Sequence, residues 1–583
     1  MDNTEIAKVL FELADVLELS EEPAFKVRAF RSAAQIIEKL AEPAHDLLQK
    51  GTLTKVKGIG AGVARRVTEI LERGDLAELE ERRKLLPPGL VDLTRITGVG
   101  LKTAALVWRE LGVSSVDDLE AAAQQGKLRA LPKFGQRKEE KILQAITAAK
   151  ARAAAPTRWT LGQAISQAEP LVALLRAVPG VLQVELAGSI RRRRDTIGDI
   201  DILVAAPLSA ATAVMDTFTS QPVVSEVLGK GDTKSSVLLR DGLQVDVRVV
   251  LPESWGAALQ YFTGSKDHNV AVRSLAVRRK LKISEYAVTD EHGAVVAGAD
   301  EQSVYASVGL TYIPPELREN RGEIEAAAEG RLPTLVELAD LRGDLHMHTV
   351  ETDGKSTLEQ MVEAARAMNR EYIAITDHSQ ALTIAKGLDP ERLRAQGALI
   401  RAMNEKIGGR PRILRGIEAD ILPDGSVDLG PEVLRELDWV IGSVHSHFTL
   451  SREDQTRRVV RALESGVVDC VGHPTGRILT RREPYPIDLE AVLAAAKRVG
   501  AAIECNAFPN RLDLDEHGLR LAREMGVTVV ISSDSHHTSQ QAHLRLGVDI
   551  ARRAWLQAEH VANTIPLKDF LDRFAHHHRR ATA

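Results

Sequence analysis

Residues Gly188–Val204 read GSIRRRRDTIGDIDILV. A Gly-Ser pair opens the stretch, four arginines follow, and Asp199-Ile200-Asp201 closes it inside an apolar, β-prone segment. Side chains alternate across a strand, so Asp199 and Asp201 share one face while Ile200 and Ile202 share the other. Two carboxylates one strand step apart repel each other unless a cation sits between them. Oxygen ligands at this spacing suit Mg²⁺ or Mn²⁺, and Mg²⁺ characteristically takes substrate phosphates as further ligands. A bare Asp-x-Asp is usually an exposed strand with two solvated aspartates. The Gly-Ser turn and the arginines weigh against that reading. So does LQVDVRVV at Leu243–Val250, which puts Gln244, Asp246 and Arg248 on one face and three valines on the other.

Three aspartates on neighbouring strands can hold two divalent ions, one activating a 3′-hydroxyl and one carrying a triphosphate. Arg192 and the Gly188-Ser189 backbone are placed to grip phosphate oxygens.

A chain of 583 residues exceeds one hydrophobic core; about three to five domains are expected. Hydrophobic content of 44% and charged content of 27% fit a globular protein. There is no apolar run of transmembrane length, and acids interrupt the N-terminal stretch MDNTEIAKVLFELADVLELS. No membrane partner is expected. Only Cys470 and Cys505 occur, which excludes a disulfide framework and places the chain in a reducing cytoplasm. The net charge of −5 does not itself suggest nucleic acid, but residues 266–282 carry six Lys and Arg against the single Asp267.

The first 150 residues read as short helices, with Ile6, Val9, Leu10, Leu13, Val16 and Leu17 on the helical period. Two turns stand out, VKGIGAGVA at Val56–Ala64 and ITGVGLKTA at Ile96–Ala104. Gly58, Gly60, Gly98 and Gly100 permit positive φ and close backbone approach. The helix that follows each turn presents free N–H groups to a phosphate, and the second turn adds Lys102. That is a sequence-independent grip on a nucleic-acid backbone. LPKFGQRKEEKIL at Leu131–Leu143 reads as a third, degenerate copy, and the Pro/Ala-rich Ala151–Thr157 as a linker.

Tyr261-Phe262-Thr263-Gly264-Ser265, with Asn269 and Arg273 behind it, completes a set of motifs. Residues 1–325 resemble the family X DNA polymerases, the DNA polymerase beta type. The resemblance rests on GSIRRRRDTIGDID, QVDVR, YFTGS with Asn269 and Arg273, and the glycine hairpins, which resemble helix-hairpin-helix motifs. It implies that Asp199, Asp201 and Asp246 ligate the palm metals. It makes Ser189 and Arg192 triphosphate contacts, with Gly188 and Gly198 in the same nucleotide site. Tyr261, Phe262 and Gly264 match the sugar pocket, Asn269 the minor-groove contact to the incoming base, and Arg273 the template contact. The chain departs from the family at its lyase lysine, where Arg66 stands, and at the preceding basic position, Gly62. Arginine stays protonated and forms no Schiff base, so only Lys55 or Lys57 could substitute. Gln244 and Lys266 also replace residues usual in eukaryotic members.

Beyond Arg331 short apolar strands alternate with helices. The strand candidates end in GDLHMHT, YIAITDHS, ILRGIEAD, VIGSVHSH, DCVGHPT, AAIECNA and VVISSDSHH. Seven such repeats predict an α/β barrel with its site at the C-terminal strand ends. There lie His346, His348, Asp353, His378, Glu418, His445, His473, Asp534 and His536. A lone histidine would be unremarked, but a set at successive strand ends is a metal cluster. Imidazole with carboxylate suits Zn²⁺, Mn²⁺ or Fe²⁺, and nine ligands suffice for up to three ions. This segment resembles the polymerase and histidinol phosphatase (PHP) domain. The resemblance assigns one ion to His346, His348, Glu418 and Asp534. A second goes to Glu418, His445 and His473, and a third to Asp353, His378 and His536. His447 and His537 are expected to be structural, His576–His578 a solvated tail, and Asn506 and Arg511 substrate contacts.

The expected architecture is multidomain. Residues 1–85 form a helical, lyase-like DNA-binding domain with the first hairpin, and 86–155 a helical subdomain with the second. An α+β nucleotidyltransferase palm spans 156–250 and a small α/β thumb 251–325. Residues 326–340 link to a distorted (β/α)7 barrel at 341–583. The expected function is gap-filling DNA synthesis in repair, with a 3′–5′ exonuclease and further abasic-site endonuclease or 3′-phosphatase activity in the barrel. The partners would be gapped or nicked duplex DNA and deoxynucleoside triphosphates, met by a cytoplasmic, nucleoid-associated monomer. Two other readings compete. One is a small-molecule phosphoesterase fused to a non-catalytic DNA-binding module, against which the intact Asp triad argues. The other is a scaffold that only clamps gapped DNA, against which the number of placed ligands argues.

Overall fold

The computed structural model describes residues 3–579, apart from 21, 39, 41–42, 57, 88, 91, 97, 133 and 155–157. Lys57 therefore lies outside the described residues, as do the side chains of His576–His578. The chain divides into two units, Met1–Pro156 and Thr157–Ala583.

The first unit is helical with two cores. One gathers Ile6, Leu10, Leu13, Phe30, Val67 and Leu79; the other gathers Leu90, Val99, Val107, Leu119 and Ile146. Three turns in it share one hydrogen-bond pattern. The amides of Ile59, Val99 and Phe134 donate to the carbonyls of Val56, Ile96 and Leu131 at 2.9–3.0 Å. In each, a glycine carbonyl (Gly60, Gly100 or Gly135) then starts the following helix. The third turn is therefore built like the other two, although Phe134 replaces the first glycine's neighbour. Helix Gln136–Ala154 runs through the first half of the stretch read as a linker. Alanine sustains a helix, so composition alone does not mark a linker there.

The second unit begins with a five-stranded sheet. Its order is Gln183–Leu186, Asp199–Ala205, Gln244–Val250, Lys234–Leu239 and Val224–Lys230. Alternation along Gln244–Val250 buries Val245, Val247 and Val249 and leaves Gln244, Asp246 and Arg248 partly open. Helices Leu161–Arg176 and Leu208–Thr219 contribute Ile165, Leu171, Val214 and Phe218 to the core on the valine side. Helices Trp255–Thr263 and Lys266–Arg278, a small antiparallel sheet and helices Glu301–Ser307 and Glu323–Ala328 follow as a separate lobe.

Seven strands then run parallel in chain order, from Gly343–Asp344 to Val529–Ser532. The first and last meet through a Met347–Ser535 bridge, where the His348 amide donates to the Ser535 carbonyl at 2.8 Å, so the barrel is nearly closed. Helix Leu567–Arg579 covers the N-terminal ends of the strands, placing Phe570 and Phe574 against Trp439, and Phe570 against Tyr372 as well. The floor is thus lined by aromatic rings, and the histidine and carboxylate cluster lies at the opposite mouth.

One apolar cluster runs from the palm into the barrel, and segment 326–340 is drawn into it, with the Val336 amide donating to the Leu556 carbonyl at 2.9 Å. Gly162 marks the closest approach. A Cβ there would stand 2.8 Å from Pro509 Cβ and 3.3 Å from Leu546 Cδ1. Gly162→Val should therefore destabilise this unit by about 1–3 kcal/mol through overpacking. Calorimetry should show a lower melting temperature; an unchanged melt would mean that the helix does not pack on the barrel.

Candidate active sites

The palm sheet sets Asp201 directly opposite Asp246 on the adjacent parallel strand, with Asp199 opposite Gln244. Burial, then the charges of Asp199 and Asp246, raise the Asp201 pKa to about 7. Burial, then Asp246, raises Asp199 as well. A cation is the partner such a trio lacks. Asp246 is steadied by Gln244 Nε2 at 2.9 Å and by Lys234 Nζ at 3.4 Å. Gly188 is obligatory beside them: its φ is +58°, and a Cβ would lie 2.2 Å from Asp201 Oδ2. Gly198 forms the turn between strands Thr196–Ile197 and Asp199–Ala205.

Ser189 lies in the short helix Gly188–Arg191, and Arg192 caps it. Arg192 donates to the Thr263 carbonyl at 2.5 Å and its Nε lies 3.1 Å from Glu319. Gly264, at φ +69°, would put a Cβ 3.1 Å from Arg192 Nη1. Tyr261 and Phe262 meet edge to face at 5.2 Å, and the Arg248 guanidinium lies 4.7 Å over Phe262. Asn269 is buried, donating to the Tyr261 carbonyl at 2.8 Å and accepting from Gln260 at 2.7 Å. Arg273 follows one turn later and donates to the Asn269 carbonyl. The residues expected around a nucleotide thus adjoin one another.

At the barrel mouth Glu418 is the centre. His473 Nε2 lies 2.9 Å from it, His378 Nδ1 2.9 Å, His445 Nε2 3.2 Å and His346 Nε2 3.4 Å. Asp534 lies 3.2 Å from His348 Nε2, and Asp353 lies 3.5 Å from both His378 and His536. Three groups could each hold an ion: His348, Asp353, His378 and His536; His346, His348 and Asp534; His378, Glu418 and His445. These overlap the sequence-derived sets but place His348 and His378 between them. Buried His346 Nε2, both His348 ring nitrogens, His378 Nδ1 and His473 Nδ1 have no hydrogen-bond partner. Orphaned imidazole nitrogens facing carboxylates are the donor set that a divalent transition metal requires. Asp534 (φ +52°) and His473 (φ +27°) adopt strained backbone conformations held by the strand ends.

A second layer went unnoticed in the sequence. Glu504 lies 2.7 Å from His346 Nδ1 and accepts from the His473 amide at 2.6 Å, while Asp420 lies 2.7 Å from His445 Nδ1. Such carboxylates orient a ligating imidazole and raise its basicity. Asp420 follows Glu418 by two residues on one strand, so the alternation already pointed to it. Asn506 is buried rather than open to a substrate, donating to Asp534 at 3.0 Å and Glu504 at 3.1 Å. Arg511 Nε lies 3.5 Å from Asp534. His537 caps a short helix, and His447 is exposed. In the first unit, Gly58 and Gly98 have φ of +95° and +90°; Gly60 and Gly100 are open around the Cβ position, and Lys102 is exposed. Arg66 pairs with Glu78 at 2.5 Å and stacks on Phe30.

The barrel carboxylates raise His378 to about 10 against the opposing effect of burial, and raise His346, His445 and His536 likewise. Without an ion His378 and His346 carry protons at neutral pH, so ion binding must release them. Affinity for Mn²⁺ should therefore rise with pH, about tenfold per unit for each proton displaced. Calorimetric titrations in buffers of different ionisation enthalpy measure both quantities; a pH-independent affinity would contradict this site.

Four family models match the chain. They are a helix-hairpin-helix domain at residues 1–76, a SAM-like helix-hairpin-helix tandem at 90–148, the DNA polymerase beta thumb at 258–319 and a PHP domain at 344–507. The chain is similar to the DNA polymerase/3′–5′ exonuclease PolX of Bacillus subtilis, at 38% identity over 98% of each chain. Its barrel third is similar to a probable phosphatase of Acetivibrio thermocellus, at 35% identity over 33% of this chain and 78% of that protein. With its helix-hairpin-helix region, thumb and barrel matched in order along nearly the whole of such a relative, the chain belongs to the family X DNA polymerases of the PolX type that carry a PHP domain.

Proposed function

We propose that this protein fills short gaps in duplex DNA during repair and trims 3′ ends with the 3′–5′ exonuclease of its barrel. The observation that carries this is the pairing of Asp201 with Asp246 across parallel strands, beside a Gly-Ser-Arg turn and on one unit with a second metal centre. Asp199, Asp201 and Asp246 would hold Mg²⁺ or Mn²⁺. Bound there, the ions neutralise charge on the attacking and leaving oxygens of an in-line displacement. Ser189 and Arg192 would bind the triphosphate beside Gly188 and Gly198, with Tyr261, Phe262 and Gly264 around the sugar. Asn269 would meet the incoming base and Arg273 the template. Gly60, Gly100 and Lys102 would bind backbone phosphates at helix starts shaped by Gly58 and Gly98. One chain supplies every proposed ligand of both centres, which supports a monomer.

In the barrel the nine ligands would hold up to three ions, Mn²⁺, Zn²⁺ or Fe²⁺. Glu504 and Asp420 keep His346 and His445 oriented. Arg511 carries the positive charge at the mouth that a scissile phosphate would meet. The similarity of the barrel to a probable phosphatase supports a second action on the same ends, removal of a 3′-phosphate. Abasic-site cleavage would use the same centre. With Arg66 held by Glu78, a lysine-based lyase step would fall to Lys55, which is exposed, or to Lys57, which lies outside the described residues.

The two centres should separate by mutation. Asp246→Ala should lower nucleotide addition on a one-nucleotide gap by about 10³-fold or more, the scale of losing a charged transition-state contact, and spare 3′-end degradation. The double variant His378→Ala, His536→Ala should do the reverse. Retained addition in the first variant, or wild-type degradation in the second, sinks the assignment.

A further inference from the structure

Four consecutive residues of the palm's arginine turn are held by the barrel. The Arg192 carbonyl accepts from the Arg553 guanidinium. Arg193 Nε lies 3.4 Å from Asp549, and Arg194 Nη1 lies 3.4 Å from Glu516. Asp195 accepts from Arg477 at 3.1 Å. The end of the thumb joins the same barrel surface: Glu316 accepts from Arg552 at 2.7 Å and Arg321 pairs with Glu516 at 2.9 Å. Glu516 is shared by Arg194, Arg321 and Arg553 on the barrel surface. Arg192 shares its carboxylate.

Glu319 is that shared group. Its Oε1 lies 3.1 Å from Arg192 Nε and 3.1 Å from Arg553 Nη2. Arg553 ends the barrel helix Leu544–Arg553, is 1% exposed and also pairs with Glu516. Burial pushes the Glu319 carboxyl up, but the Arg553 and Arg192 charges outweigh it and hold the group below the ordinary range. The carboxylate is therefore ionised and needs a cation beside it. A largely buried carboxylate that loses its only partner pays a desolvation cost that one still paired does not. A triphosphate arriving at Arg192 competes directly with Glu319.

We propose that Arg553 of the barrel is a positioning residue for the polymerase's nucleotide site. It anchors the Arg192 carbonyl and keeps Glu319 neutralised when the Arg192 guanidinium turns to the triphosphate. Without Arg553, Glu319 competes with the nucleotide for Arg192 and adds its own negative charge beside the phosphates. The strength of nucleotide binding in one half of the protein is then set by a side chain of the other half. This rests on the reading of Arg192 as a triphosphate contact.

The test uses the full chain on one-nucleotide gapped DNA. KM for the deoxynucleotide and kcat are measured for wild type, Arg553→Met, Arg553→Lys, Glu319→Gln and the double variant Arg553→Met, Glu319→Gln. Degradation of a single-stranded 3′ end by the same preparations reports on the barrel. Arg553→Met should raise KM about tenfold with kcat and degradation held within about twofold, the effect of an unpaired buried carboxylate. Arg553→Lys should recover most of the loss. The double variant should return towards wild type, a non-additivity that a loosened interface would not produce. Should Arg553→Met fail to fold, the same KM comparison between Arg553→Lys and Arg553→Lys, Glu319→Gln decides. An unchanged KM, or equal loss of both activities that Glu319→Gln does not relieve, overturns the proposal. If the wild-type chain adds no nucleotide, the polymerase reading fails instead.

Discussion

The need of buried carboxylates for positive charge is the constraint around which both halves of this molecule are arranged. Asp201 faces Asp246 on a parallel neighbour, and Glu418 faces four imidazoles at the barrel mouth. In the palm the aspartates repel one another, whereas in the barrel the imidazoles hold Glu418 well below the ordinary carboxylate range. Each is tolerable because cations can sit among the oxygens, and each is kept open by elements with little freedom to relax. The palm achieves this with strand register, the barrel with strand ends whose ligands adopt strained backbone angles. The glycine at position 188 shows how little slack remains, since even a methyl group would occupy the Asp201 oxygen.

Much of this was legible in the chain. The palm strands announced themselves by alternation, and the barrel strands by apolar runs ending in histidine or aspartate. Nine barrel ligands came from six of the seven strand ends, because a parallel barrel collects the ends of its strands at one face whatever the loops do. The pairing of Asp201 with Asp246 required only that two alternating segments be neighbours. What the sequence hid was of two kinds. Glu504 and Asp420 were visible as residues but not as supports, since nothing local distinguishes a ligand from the group behind it. Arg193, Arg194 and Asp195 were hidden differently. Their partners lie about 280 to 350 residues away, and such pairings depend on how two finished surfaces meet.

That meeting surface changes the meaning of the arginine run. Four adjacent cations suggest a phosphate site, yet Arg191 is taken by Glu301, and Arg193 and Arg194 are taken by the barrel. Only Arg192 stays within reach of a nucleotide. The run is better described as a bolt than as a grip. It fastens the palm to the barrel through charges, while the apolar cluster that includes Val336 supplies the bulk of the contact. The two centres are consequently fixed in one frame, so a primer end leaving one must travel to the other rather than wait for the domains to swing.

The aromatic floor of the barrel has a consequence in time. Phe570 and Phe574 belong to helix Leu567–Arg579, which emerges from the ribosome after every metal ligand and after the whole polymerase half. Until it arrives, the apolar lower interior around Tyr372 and Trp439 has no lid against water. The metal-ligand residues are therefore all made before the helix that covers the barrel's apolar floor. The palm waits as well, because the Arg192 carbonyl, Arg193 and Arg194 find their partners on the barrel surface, so neither half is complete without the other.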